Sequence, residues 1–148
     1  MSWAAYALLS AVLWGATYLV YEIMLKKVSA FSILFFSSLG SAALFCCALA
    51  LSGGFRTDWA VLKKGGSETG MIALMVVMAV AANFCFLASM RMKNATISGM
   101  IEITYPLFTA LFAWVFLKQA TLSAGTVVGG VLIMAGIICI SYFEKIAH

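Results

Sequence analysis

Among the residues able to do chemistry in this chain, one carboxylate stands apart. Glu102 is the only charge in NATISGMIEITYPLFTALFAWVFL, residues 94–117, and it precedes by four positions Pro106, the single proline of the sequence. A proline has no N–H to offer the carbonyl four residues back, and its ring clashes with that carbonyl. The spacing therefore predicts a kink at the level of Glu102, with the carbonyl of residue 102 left as a free acceptor. Irregular backbone of this kind is tolerated inside a membrane where it is buried in protein or lines a cavity.

The 3.6-residue period gathers Ala95, Ser98, Gly99, Tyr105, Pro106, Thr109 and Ala113 onto the face of Glu102. The other side offers Met100, Ile101, Ile103, Leu107, Phe108, Leu111, Phe112 and Val115, which suit lipid. Glu102 is thus expected to point inward, as a substrate or proton site or as a protonated acid hydrogen-bonded across helices. A charge at mid-membrane costs at least roughly 2.5–3.5 kcal/mol, so a purely structural role would be filled more safely by Gln or Thr. Trp14, Tyr18 and Tyr21, with Thr17 beside them, recur at helical spacing near the N-terminus. Aromatic rings with polar tips suit flat or cationic solutes. An interface belt explains Trp3, Tyr6 and Tyr21 better than the mid-span Trp14. Asn83 is the one amide deep in an apolar stretch and either binds solute or bonds across helices. Glu22, with Lys26 four positions on, reads as an ion pair at the membrane edge.

Other chemistries lack their residues. The sequence contains no GxSxG elbow, no HExxH, no Gly-Lys-Ser/Thr phosphate loop and no paired-aspartate motif. Cys46, Cys47, Cys85 and Cys139 form no CxxC, and the single histidine is His148. Neither a metal site nor a cofactor is expected, the cysteines read as apolar thiols, and the residues give no support to an enzyme.

The elements that must position these groups follow from composition. Hydrophobic residues make up 65% of the chain, charged residues 9%, and the mean hydropathy is +1.10. Soluble domains carry about 25% charged residues. A membrane-spanning helix needs roughly 20 apolar residues, and five such stretches fit near 3–25, 30–51, 70–90, 95–117 and 122–143. The expected fold is all-α and integral to the membrane, one domain over residues 1–148. The first helix has no basic leader and no small-x-small site after it, so it is expected to be retained.

The remaining segments read as short loops, KKVS at 26–29, RTDWAVLKKGGSE at 56–68, RMKN at 91–94 and KQAT at 118–121. Arg56, Lys63, Lys64 and Lys118 fall on one side of the membrane, and Lys26, Lys27, Arg91, Lys93 and Lys145 on the other. Four against five is nearly no bias under the positive-inside rule, which permits insertion both ways up, with a weak one-way preference as the competing reading. These charges reflect orientation rather than a nucleic-acid surface. In the last helix, Gly125, Gly129 and Gly136 share a face, which predicts close helix packing either within the chain or between two copies.

These stretches resemble a single EamA-type domain of the drug/metabolite transporter superfamily. LWGATYLVYEIMLKKVSAFSILFFSSL, residues 13–39, is similar to its first hairpin with an early Trp14-Gly15. LASMRMKNATISGMIEITYPLFTALFAWVFL, residues 87–117, resembles the stretch in which an Ala-x-x-basic helix end precedes a proline-bearing helix. GGVLIMAGIICI, residues 129–140, is similar to the closing glycine helix shared with small multidrug resistance proteins. Many EamA domains carry Gly-Glu after the fourth helix, where this chain has Lys118-Gln119. Small multidrug resistance proteins couple to protons through an acid in the first helix, and residues 3–21 here contain none, leaving Glu102 as the mid-span substitute.

Most EamA proteins pair two five-helix halves of inverted topology, and such repeats hold the substrate at the midplane. The resemblance implies one half of that fold, completed by an antiparallel homodimer or a paired homologue of opposite topology. It also implies a transporter in a bacterial-type cytoplasmic membrane, exporting a small metabolite or drug-like solute, with proton coupling as one option. A non-transporting membrane subunit or assembly factor, and a translocator of lipid or lipid-linked sugar, are the rival expectations.

Overall fold

The computed structural model describes residues 2–63, 65–118 and 124–146. Among the described residues seven α-helices follow in order: α1 (Trp3–Leu25), α2 (Ala30–Ser52), α3 (Phe55–Lys63), α4 (Ser67–Met92), α5 (Ala95–Glu102), α6 (Tyr105–Leu117) and α7 (Ala124–Ile146). Among the described residues there is no strand. Five segments are long and apolar enough to cross a bilayer: α1, α2, α4, the pair α5–α6 taken together, and α7. The chain is an all-helical, multi-pass membrane protein. Among the described residues most large apolar side chains are exposed on the single chain, an arrangement that lipid tolerates and water does not.

Helix ends follow from local chemistry. Ser29 caps α2, its hydroxyl accepting the Ser32 N–H at 3.2 Å, and Gly53 ends that helix in the left-handed region at φ 70°. Asn94 caps α5 by accepting the Ile97 N–H at 2.8 Å. α4 runs further at both ends than the 70–90 expected from apolarity, taking in Ser67, Glu68 and Thr69 at its start and Arg91 at its end. The expected start of the last helix at 122, like Lys64, Gln119 and His148, lies outside the described residues.

Two expectations are corrected. The 56–68 connection is not a loop but carries α3. Phe55, Trp59 and Leu62 recur at i, i+4 and i+7, so one edge is apolar, while Asp58 in the first turn and Lys63 in the last complement the helix dipole. The fourth span is disturbed at Glu102 as expected, but as a short break in the α-helical ladder, α5 ending at Glu102 and α6 beginning at Tyr105 with Pro106 in its first turn. Between them the ladder tightens to three-residue spacing, Thr104 N–H donating to Ile101 O at 3.2 Å and Leu107 N–H to Thr104 O at 2.9 Å. Pro106 cannot bond the carbonyl of Glu102 and favours the first turn of a helix, so the chain restarts there.

The chain divides into two compact units, Met1–Leu19 with Lys93–His148, and Val20–Met92. In the second unit α2 and α4 pack antiparallel. The Phe31 and Phe84 rings lie 4.9 Å apart, and Ala30, Ile33, Leu87 and Met90 are buried. In the first unit the packed positions are small. Ala95, Ser98 and Gly130 are buried, and a Cβ built on Gly130 would come within 2.5 Å of Leu107 Cδ2.

α6 ends at Lys118, whose φ of 51° and ψ of 27° are left-handed, with the cap N–H bonded to Ala113 O. This is a glycine position occupied by lysine. Side chains other than Gly pay roughly 1–2 kcal/mol in that region. Lys118→Gly is expected to stabilise the chain by about 1 kcal/mol, read as a higher melting temperature in detergent. A lower or unchanged value would show that the lysine side chain offsets the backbone strain.

Candidate functional site

The first unit brings Glu102 against the aromatic face of α1. The Tyr18 hydroxyl donates to Glu102 Oε2, and both side chains are half-buried. Gly99 lets the ring pack closely against α5. A Cβ there would stand 3.3 Å from Tyr18 Cδ2 and 3.5 Å from Cε2, so the ring lies over a bare patch of α5. Gly99 and Glu102 are three residues apart and share a helix face, so the ring rests on one and the phenol reaches the other. Trp14, one turn before Tyr18, stands with its ring centroid 5.6 Å away at a 46° tilt and is 48% exposed. On α5 Ser98 is 3% exposed, and on α1 Thr17 returns its hydroxyl to Leu13 O at 2.8 Å.

The other residues singled out in the sequence lie elsewhere. Tyr105 is 64% exposed, and Pro106 is also exposed. Thr109 spends its hydroxyl on Tyr105 O at 3.1 Å. Asn83 belongs to the other unit, where its Nδ2 donates to Ala79 O at 2.8 Å, one turn back in α4. On α7, a Cβ added at Gly129 or Gly136 would meet nothing within 4 Å. The close approach on that helix is made by Gly130, which sequence reasoning passed over although it adjoins Gly129.

Residue counting along α1 and α5 puts Tyr18 and Glu102 at the same depth, without determining that they meet. α1 ends and α5 begins on the same side of the membrane, since two spans lie between them. Tyr18 is seven residues before Leu25, and Glu102 seven residues after Ala95. At 1.5 Å per residue each lies about 11 Å in from that face.

A carboxylate paired with a phenol can act through either of its two forms. As an anion Glu102 accepts the phenol proton, and a cation close by can take the place of that phenol. When protonated it becomes a donor and loses its attraction for a cation. The tilted faces of Trp14 and Tyr18 add a surface on which a cation or a flat ring can rest. Among the described residues, no cluster of three His, Cys, Asp or Glu side chains comes together to hold a metal.

A family model described as the EamA-like transporter family matches residues 1–142. No curated protein and no solved structure matches the chain.

Proposed function

This chain belongs to the EamA-like transporter family and is a membrane transporter of that type, and from that premise we propose that it exports a small metabolite or drug-like solute through exchange at Glu102. The observation that carries the proposal is the Tyr18–Glu102 hydrogen bond over Gly99, in an otherwise uncharged membrane face. A carboxylate so placed is costly unless something exchanges with it. In the empty carrier Tyr18 holds the carboxylate. A solute bearing a positive or hydrogen-bonding group displaces the phenol and stacks on Trp14. A proton arriving from the opposite side then releases the solute. Solute and proton weaken each other's binding by the same factor, which is the linkage that exchange needs.

The chain has the five spans of one half of an inverted repeat. A second copy in the opposite orientation would supply the other, as in inverted repeats. The exposure of Trp14 and Tyr105 supports a second wall, and the near-balanced loop charges permit it. The membrane in this reading is a bacterial-type cytoplasmic membrane.

Orientation is directly testable. In a background lacking Cys46, Cys47, Cys85 and Cys139, a single cysteine at Ser67, the first residue of α4, is expected to react with an impermeant maleimide from both sides of the membrane in roughly equal shares. Labelling from one side only would remove the antiparallel homodimer and leave a parallel dimer or an oppositely oriented homologue as partner.

A further inference from the structure

We infer that α3 is a membrane-surface anchor, seated at the boundary of hydrocarbon and headgroups by the stacked rings of Phe55 and Trp59. The two rings lie 5.9 Å apart and 8° from parallel, and they remain 50% and 56% exposed. Leu62, on the same edge, is half-buried.

The occupant of this edge follows from where the chain holds it. α2 has 23 residues and α4 has 26, so they measure about 34 and 39 Å. The hydrocarbon core is about 30 Å thick and the whole bilayer about 40–45 Å. Their ends on the α3 side therefore emerge among the headgroups. Only Gly53 and Gly54 separate α2 from α3, a reach of at most about 11 Å, and the chain turns there rather than extending. Gly53 is left-handed, and the Asp58 N–H donates to Gly54 O at 3.0 Å.

The far end is tied down too. Gly65 N–H donates to Leu62 O at 3.1 Å, and the Thr69 hydroxyl, in the first turn of α4, donates to the same oxygen at 3.1 Å. A nine-residue helix clamped to two spans in this way cannot leave the interfacial layer. Tryptophan and phenylalanine on one edge favour that layer, and a positive balance favours anionic headgroups. Over residues 55–66, Arg56, Lys63 and Lys64 outweigh Asp58, three charges against one.

The consequence is mechanical. α3 sets the depth of the α2–α4 hairpin, and so provides a fixed level against which the helices of a carrier can move. It holds whichever way up the chain inserts and whatever solute is carried.

The test uses Trp59 in the whole protein reconstituted into phosphatidylcholine–phosphatidylglycerol vesicles. Subtracting the emission of Trp59→Phe from that of the parent isolates the Trp59 component without altering Trp3, Trp14 or Trp114. The expected component is blue-shifted from indole in water, quenched more by lipids brominated near the headgroup than by lipids brominated at the chain ends, and poorly quenched by iodide. Strong iodide quenching would overturn the inference by placing the ring in water. Quenching greatest with chain-end bromines, or by neither reagent, would also overturn it, placing the ring in the bilayer centre or against protein. Should Trp59→Phe fold poorly, a spin label at position 59 in the cysteine-free background gives the same reading from its relative accessibility to oxygen and to a water-soluble relaxation agent.

Discussion

Glu102→Gln is expected to abolish the response of transport to a pH gradient while leaving folding and assembly intact. Gln keeps the size of the side chain and can still accept the Tyr18 phenol proton, so the contact over Gly99 survives. What it loses is titration. Solute flux in proteoliposomes, with and without an imposed gradient, should fall to the ungated level in both conditions. If the variant keeps the gradient dependence of the parent, Glu102 is structural and the exchange reading fails. Tyr18→Phe separates the two roles of its partner. Phe keeps the ring against Gly99 but removes the hydroxyl that competes for the carboxylate. A hydrogen bond to a charged group is worth about 1.5–3 kcal/mol, so a cationic solute should bind roughly tenfold or more tightly. Binding measured on purified protein checks this, and weaker binding would mean that the hydroxyl contacts the solute itself.

Gly130→Leu and Gly129→Leu are expected to behave in opposite ways although the two glycines are neighbours. At Gly130 even a Cβ would meet Leu107 Cδ2 at 2.5 Å, so a leucine must displace the Leu107 side chain from the α7 backbone and crowd that contact. Overpacking typically costs about 1–3 kcal/mol and at times more, and the melting temperature in detergent should drop sharply. At Gly129 the space around the backbone is open, so the single chain should tolerate leucine. If the Gly125, Gly129 and Gly136 face meets a second copy, Gly129→Leu should instead dissociate the dimer, as read by crosslinking and light scattering. Unchanged assembly would assign that face to lipid.

The spans and their order were readable without coordinates, because a bilayer demands about 20 apolar residues per crossing whatever the packing. The small, polar face of the fourth span was readable too, with Gly99 and Glu102 together on it by helical period. The break at Ile103–Thr104 was only half visible. Proline announces a disturbance, but whether the helix bends or restarts depends on which hydrogen bonds replace the lost one. α3 was hidden for a different reason. Nine residues with charges at both ends resemble a loop in any average, and only the spacing of Phe55, Trp59 and Leu62 points to a helix.

Composition and periodicity thus determined that this is a five-span, all-helical membrane protein with one intramembrane acid, since those properties depend on solvent and on neighbours along the chain. Tertiary structure alone decided which partner that acid takes. Tyr18 and Glu102 are 84 positions apart, and they meet where Gly99 lets the ring pack closely. It also decided that α7 makes its close approach through Gly130 rather than Gly129. One residue turns a helix by about 100°, so adjacent glycines look alike in sequence and face different neighbours once the helices pack.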